Sequence, residues 1–191
     1  METIIITGAN RGIGLELTRQ YLQANNTVTA TCRNPSSATD LVTLTSNPNL
    51  QVVQLDVTDR QSVDAFCASF KDKVIDVVLN NAGVKGSAHQ SLNDMDAESW
   101  LAAFNTNTIA PFMLSSMLLK NLKLADRPRI ISVSSYMGSI SRPGTGLYAY
   151  RSSKAALNKV MQVMANELLA EGVIACPVHP GWVRTDMGGP T

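Results

Sequence analysis

Tyr150 and Lys154 stand four residues apart in the stretch YAYRSSKAAL (148–157), among small residues. On a helix, positions i and i+4 share a face, so phenol and ammonium would be neighbours. An ammonium beside a phenol stabilises the phenolate. Such a tyrosine can hand a proton to a carbonyl oxygen as hydride arrives at carbon, or remove it in reverse. Tyr148 lies six residues before the lysine and lacks that geometry. The YxxxK spacing also arises by chance, as a solvated surface pair, so its meaning depends on what surrounds it.

A second constellation lies at the other end of the chain. TGANRGIG (7–14) directly follows the apolar run TIIIT (3–7) and leads into a helix-like segment. Gly8 suits a tight turn, Gly12 a close approach of backbone to phosphate, and Gly14 close packing of helix on strand. A helix N-terminus at this point offers amide donors and a positive dipole end to a pyrophosphate. Gly8, Asn10, Arg11, Gly12, Ile13 and Gly14 are therefore the expected cofactor-binding turn. The spacing is GxxxGxG rather than GxGxxG, and no GxxxxGK[ST] phosphate loop is present. About 20 residues on, where a carboxylate would select NAD, the chain has TCRNP, with Arg33 and no acid before Asp40. Arg33, helped by Arg11, can neutralise a 2′-phosphate, so NADP(H) is expected over NAD(H). The plain alternative is a solvated charge at a strand end.

The elements that must position these groups alternate. Apolar runs at 3–7, 27–32, 50–55, 74–80, 129–134 and 172–178 read as strands, several apolar throughout, as in a parallel sheet covered on both faces. Helices are expected near 12–24, 38–46, 60–71, 96–123 and 152–170. In the last, Leu157, Met161, Met164 and Leu168 form one apolar stripe. The alternation predicts a doubly wound α/β fold. SRPGTG (141–146) reads as a loop, and with no repeat or linker one domain over 1–191 is expected.

Composition narrows the function. Of 191 residues, 45% are hydrophobic and 16% charged, with a formal net charge of +1. That balance argues for a globular chain and against a dedicated nucleic-acid surface or polybasic membrane patch. There is no apolar run of membrane-span length and no basic n-region, so a cytoplasmic protein is expected. Cys32, Cys67 and Cys176 show no metal-ligand spacing and read as small buried hydrophobes in a reducing compartment. No metal is expected.

Taken together, TGANRGIG, LDVTD (55–59), NNAG (80–83), NTIAP (107–111), SVSSYMG (132–138), YRSSK (150–154) and HPGWVRTDM (179–187) resemble the short-chain dehydrogenase/reductase family. The resemblance spans nearly the whole chain in the family's order. YAYRSSKAALN and PGWVRTDMGGP look most like sniffer-type carbonyl reductases and bacterial C-factor proteins. The resemblance implies a Rossmann-like, three-layer α/β/α sheet of order 3-2-1-4-5-6 and NADPH-dependent reduction of a ketone, aldehyde or quinone. It assigns Tyr150 as acid/base, and Lys154 as its tuner and ribose ligand. Ser135 would bond the substrate carbonyl. The backbone carbonyl of Asn107 would hold a water linking Lys154 to solvent. Asp56 would bind the adenine amino group, with Val57 beside it. Asn81, Ala82 and Gly83 would line the cofactor ribose, while Val183 and Thr185 would anchor the carboxamide. A homodimer through helices near 96–123 and 152–170 is implied as well.

Each position also has a structural alternative. Asn81 and Asn107 suit turns or caps. Ser134 rivals Ser135, since strand alternation lets only one face the site. Asp56 could cap the next helix, although Thr58 and Asp59 are better placed. His89 and His179 read as loop residues, and Trp100 and Trp182 as core, substrate wall or interface. Ser135 and Tyr150 are 15 apart, slightly more than the family's habit, an excess the SRPGTG loop can absorb. Family members continue past Thr191 through a substrate lid and seventh strand, so a C-terminal segment is expected to be lacking. Two rivals remain: an NAD(P)-binding regulatory protein, and sugar-nucleotide epimerisation or dehydration on a related scaffold.

Overall fold

The computed structural model describes residues 1–189. Its main sheet comprises β1 (Thr3–Ile6), β2 (Thr27–Cys32), β3 (Leu50–Gln54), β4 (Val77–Asn80), β7 (Arg129–Val133) and β8 (Ile174–Val178). All pair in parallel, in the order β3-β2-β1-β4-β7-β8. A two-stranded hairpin of β5 (Gln90–Ser91) and β6 (Asp94–Met95) stands apart from it. Counted without that hairpin, the order is the expected 3-2-1-4-5-6.

Successive residues of the central strands feed opposite cores, as a sheet covered on both faces requires. Ile4 and Ile6 join Val28, Leu15 and Leu22 on one side, while Ile5 joins Val78, Ile130 and Leu114 on the other. The stripe Leu157, Met161, Met164 and Leu168 is buried in the second core. This packing fixes α7 (Tyr148–Leu168) against the sheet.

Three helical expectations change in detail. The segment expected as helix over 38–46 forms one only at α2 (Thr39–Val42). Thr43 and Thr45 hydroxyls instead bond the carbonyls of Asp40 and Val42, at 2.7 Å each, competing with backbone continuation. The expected helix over 96–123 is broken into α4 (Ala97–Phe104), one π-helical turn (Asn105–Ile109), α5 (Ala110–Met117) and α6 (Leu119–Leu122). Pro111 lacks an amide hydrogen, which removes the donor four residues after Asn107. Helix α7 begins at Tyr148 rather than at 152, so both tyrosines lie on it. The β5–β6 hairpin has no counterpart among the strands expected from the sequence. The three cysteines are free, and Cys67 and Cys176 are half-buried rather than buried. Among the described residues, no helix is long and apolar enough to cross a membrane.

Candidate active site

Helix α1 (Gly12–Gln23) starts where the turn after β1 ends. Gly8 and Gly12 have φ of +65° and +56°, a left-handed region that favours glycine. A Cβ on Gly8 would meet Ala82 Cα at 2.8 Å, and one on Gly14 would meet Asn81 Nδ2 at 2.5 Å. The turn is thus pressed against the end of β4. Asn81 Nδ2 donates to the carbonyls of Thr7 and Gly8, at 2.9 Å each, and Thr7 Oγ1 accepts from the amides of Asn81 and Ala82. The Asn81 side chain braces the glycine turn instead of facing outward. Asn10 and Ile13 are half-buried within the turn.

The N-terminus of α1 carries no side-chain cap and no acid in its first turn. An uncapped 12-residue helix with glycines at its mouth fits a phosphate-bearing cofactor. The loop after β8 lies over this mouth: Thr185 Cγ2 would be 3.1 Å from a Cβ on Gly12, and Thr185 Oγ1 accepts from Gly188 N. Val183 is half-buried in the same loop. Arg11 is engaged by Asp186, Nη1 to Oδ2 at 2.6 Å, with both side chains well exposed. Arg33 is exposed at the end of β2. Partial burial opposes ionisation of Asp56, but Thr58's hydroxyl and amide and the nearby charge of Arg33 outweigh it and hold this carboxyl below its ordinary range. Asp59, not Asp56, caps α3 (Arg60–Ala68). Val57 packs toward the core.

The remaining groups converge at the ends of β4 and β7. Lys154 is 5% exposed, and its Nζ donates to Val133 O at 2.7 Å. Burial pulls its pKa down to about 8. The Nζ lies 6.0 Å from the Tyr150 ring centroid, so the two share a face as their spacing requires. A Cβ on Gly83 would lie 3.2 Å from Asn107 Oδ1 and 3.6 Å from Lys154 Nζ, so these three residues meet at one point. Asn107 is fully buried in the π-helical turn. Its Oδ1 accepts from Val84 N at 2.9 Å, and its Nδ2 donates to Val84 O and to Ser153 Oγ.

The two serines are distinguished. Ser134 Oγ donates to Asn158 Oδ1 at 2.6 Å and is buried. Ser135 is half-buried and caps the short 3₁₀ turn Tyr136–Gly138, accepting from Met137 N at 3.1 Å. A hydroxyl that accepts in this way keeps its own proton to donate. Gly138 packs on the turn carrying Lys154: a Cβ there would lie 2.8 Å from Lys154 Cβ. Tyr148 is 41% exposed. Trp100 Nε1 donates to Ser152 Oγ on α7, His89 pairs with Asp94 in the hairpin, and Trp182 stands in solvent.

Sequence spacing did not reveal a set of buried polar residues behind these groups. Asn80 Nδ2 donates to Ser115 and Ser132, and Ser153 Oγ donates to the Tyr150 carbonyl. Gln90 is 3% exposed and accepts from the Tyr150 amide.

Residues 2–191 match the short chain dehydrogenase family. The chain is 40% identical over 127 residues to C-signal of Myxococcus xanthus, covering 66% of this chain and 76% of that protein. It superposes on the NADPH-bound carbonyl reductase from chicken fatty liver with a TM-score of 0.91 at 36% identity, covering all of this chain and 83% of that one. With the carbonyl reductase Sniffer of D. melanogaster the TM-score is 0.93 at 34% identity, covering 99% and 84%. The chain belongs to the short-chain dehydrogenase family and is an oxidoreductase of that type.

Proposed function

We propose that the protein is an NADPH-dependent carbonyl reductase acting on a ketone, aldehyde or quinone, with Tyr150 as its acid/base. One observation carries this: Gly83, Asn107, Tyr150 and Lys154 converge at the ends of β4 and β7, beside the glycine turn. Gly8, Asn10, Arg11, Gly12, Ile13 and Gly14 would hold the pyrophosphate, and Arg33 the 2′-phosphate. Asp56 and Val57 would hold the adenine, Asn81, Ala82 and Gly83 the ribose, and Val183 and Thr185 the carboxamide. A reduced nicotinamide, when bound, supplies the hydride.

The protein's own residues handle the charge and the proton. Ser135's O–H bonds the substrate oxygen and orients the carbonyl. As negative charge grows on that oxygen, the Tyr150 hydroxyl gives up its proton and its O–H bond breaks as the substrate O–H forms. The Lys154 ammonium stabilises the phenolate left behind. Asn107 supports the lysine through its buried turn, and its backbone carbonyl, lacking a donor in Pro111, is suited to holding a water that returns a proton. The same steps run backwards for an alcohol.

NADPH consumption with a panel of reactive carbonyls tests this assignment. Carbonyl-dependent oxidation of NADPH, lost in Tyr150→Phe, is the expected result. Similarity to C-signal supports a second assignment, a signalling or regulatory protein that binds NAD(P). Tight NADPH binding with no carbonyl reduced would favour it. A homodimer through α4, the π-helical turn, α5 and α7 is also proposed, on faces where Leu101, Ile109, Phe112 and Val163 are exposed. Light scattering that gives one chain per particle at every concentration would count against it.

A further inference from the structure

We infer that Gln90 is a positioning residue for Tyr150. It lies outside the motif positions and works by capping the helix that carries the tyrosine. The inference rests on Tyr150 being the acid/base.

Helix α7 begins with a deficit. The first amides of a helix have no intrahelical acceptor, and a polar residue at the N-cap normally supplies one. Here the N-cap is Leu147, left-handed at φ +51° and without a side chain that can accept. The third residue of α7 is Tyr150, and its amide donates to Gln90 Oε1 at 3.1 Å, 60 positions earlier in the chain. The loop after β4 thus provides the cap that the helix's own entry lacks.

The network leaves this amide one orientation. Gln90 Nε2 donates to Lys85 O at 2.8 Å and to Ser87 O at 2.7 Å, which uses both of its hydrogens. A flipped amide would set its oxygen against two carbonyls and its NH₂ against the Tyr150 N–H. The oxygen must therefore point at Tyr150. Gly86 makes room: at φ +87°, a Cβ there would lie 2.8 Å from Gln90 Nε2. The same loop includes Val84, whose amide and carbonyl are both bonded by Asn107. One short segment therefore ties Asn107, the end of β4 and the first turn of α7 together.

Gln90 is not among the residues proposed to meet substrate or cofactor, so the expected role is geometric. A shift of the first helical turn by about 1 Å would carry the phenol with it, and displacements of that size cost on the order of 100-fold in rate. Removing the acceptor should therefore lower turnover while sparing cofactor affinity.

The test uses the whole chain with Gln90→Met, which keeps length and loses the acceptor, and Gln90→Glu, whose buried carboxyl, held protonated against the carbonyls of Lys85 and Ser87, keeps an oxygen facing the Tyr150 amide and an O–H for one of those carbonyls. Tyr150→Phe is run alongside. In Gln90→Met, kcat should fall about tenfold or more, with KM and the NADPH Kd within about twofold of wild type. Without cofactor or substrate, hydrogen exchange in the peptide spanning Tyr150 should be faster than in wild type. Gln90→Glu should keep kcat within about threefold of wild type. Wild-type kcat and exchange in Gln90→Met would overturn the inference, as would an equal fall in kcat and NADPH-binding capacity, the mark of a merely unfolded fraction. If Gln90→Met does not fold, Gln90→Glu decides: normal NADPH binding with turnover as low as in Tyr150→Phe overturns the inference. Wild-type turnover in Tyr150→Phe would instead remove the acid/base assignment itself, a different failure from an inactive Tyr150→Phe beside a fully active Gln90→Met.

Discussion

Lys154 sits almost fully buried with its Nζ bonded to Val133 O, close to the bonds that Asn107 makes to Ser153 and Val84, whereas Arg11, Arg33 and Asp186 stand in solvent around the glycine turn. Each region handles charge, but by different physics. At the α7 end a cation is held in a desolvated place where its field on a neighbouring phenol is little screened. At the turn, charges are screened by water and salt, and an exposed pair such as Arg11–Asp186 contributes little to stability by itself. In the proposed function the interior acts on a proton at a fixed point. The rim, on the same proposal, meets a charged ligand whose own phosphates complete the site.

The contrast breaks most readily at Lys154. Lys154→Met should lower turnover by about 100-fold or more, the range seen for loss of positioned proton-transfer machinery. The same substitution should alter how stability depends on pH. Burial lowers the folded pKa of Lys154 to about 8 from the ordinary 10.5. Between those values the unfolded chain holds the proton that the folded protein has released, so stability rises with pH there. Below about 8 both states are charged, and the full cost of burying the ammonium is present. Urea unfolding without cofactor should show wild type gaining on Lys154→Met between pH 8 and 10. A constant difference would show that the lysine is not desolvated.

At the rim the expected effects are smaller and depend on salt. Arg33→Asp should cost about 10- to 100-fold in NADPH affinity, the worth of a charge-assisted phosphate contact, and leave NADH affinity equal or better. A fluorescence titration at two ionic strengths checks it, since the wild-type preference should shrink as salt rises. Equal wild-type affinities for the two cofactors would contradict this role for Arg33. Gly14→Ala should destabilise the fold by about 1–3 kcal/mol, because its Cβ would lie 2.5 Å from both Asn81 Nδ2 and Gly8 O. Thermal unfolding of the variant, with and without NADPH, measures that loss.

The interior of the fold was more legible than its surface. Runs such as TIIIT and VVLN declared themselves as strands because both faces are buried, so no alternation was needed. The i, i+4 relation placed Lys154 against Tyr150 because helix geometry leaves little choice. The glycine turn was legible as a close approach. Its partner was not, since the bonds from Asn81 to Thr7 and Gly8 follow from how β1 and β4 lie side by side. Ser134 and Ser135 were equivalent as residue types, and only the placement of Asn158 separates them. Helix ends depart from the sequence pattern where local hydroxyl bonds at Thr43 and Thr45 compete with the backbone. Gln90 left no trace in the sequence, since a glutamine in a polar loop is unremarkable until the first turn of a helix 60 residues later is set against it.

The central claim is that Tyr150, and not its near neighbour Tyr148, is the proton donor. Carbonyl-dependent NADPH oxidation by Tyr150→Phe and Tyr148→Phe, measured beside wild type with NADPH affinity by fluorescence, tests it most directly. Each variant removes one hydroxyl and keeps the ring, so packing is preserved and a loss appears in turnover. Tyr150→Phe should lose about 100-fold or more in kcat with NADPH affinity nearly intact, while Tyr148→Phe stays within about twofold of wild type. Full turnover in Tyr150→Phe, with the loss in Tyr148→Phe, would contradict the account.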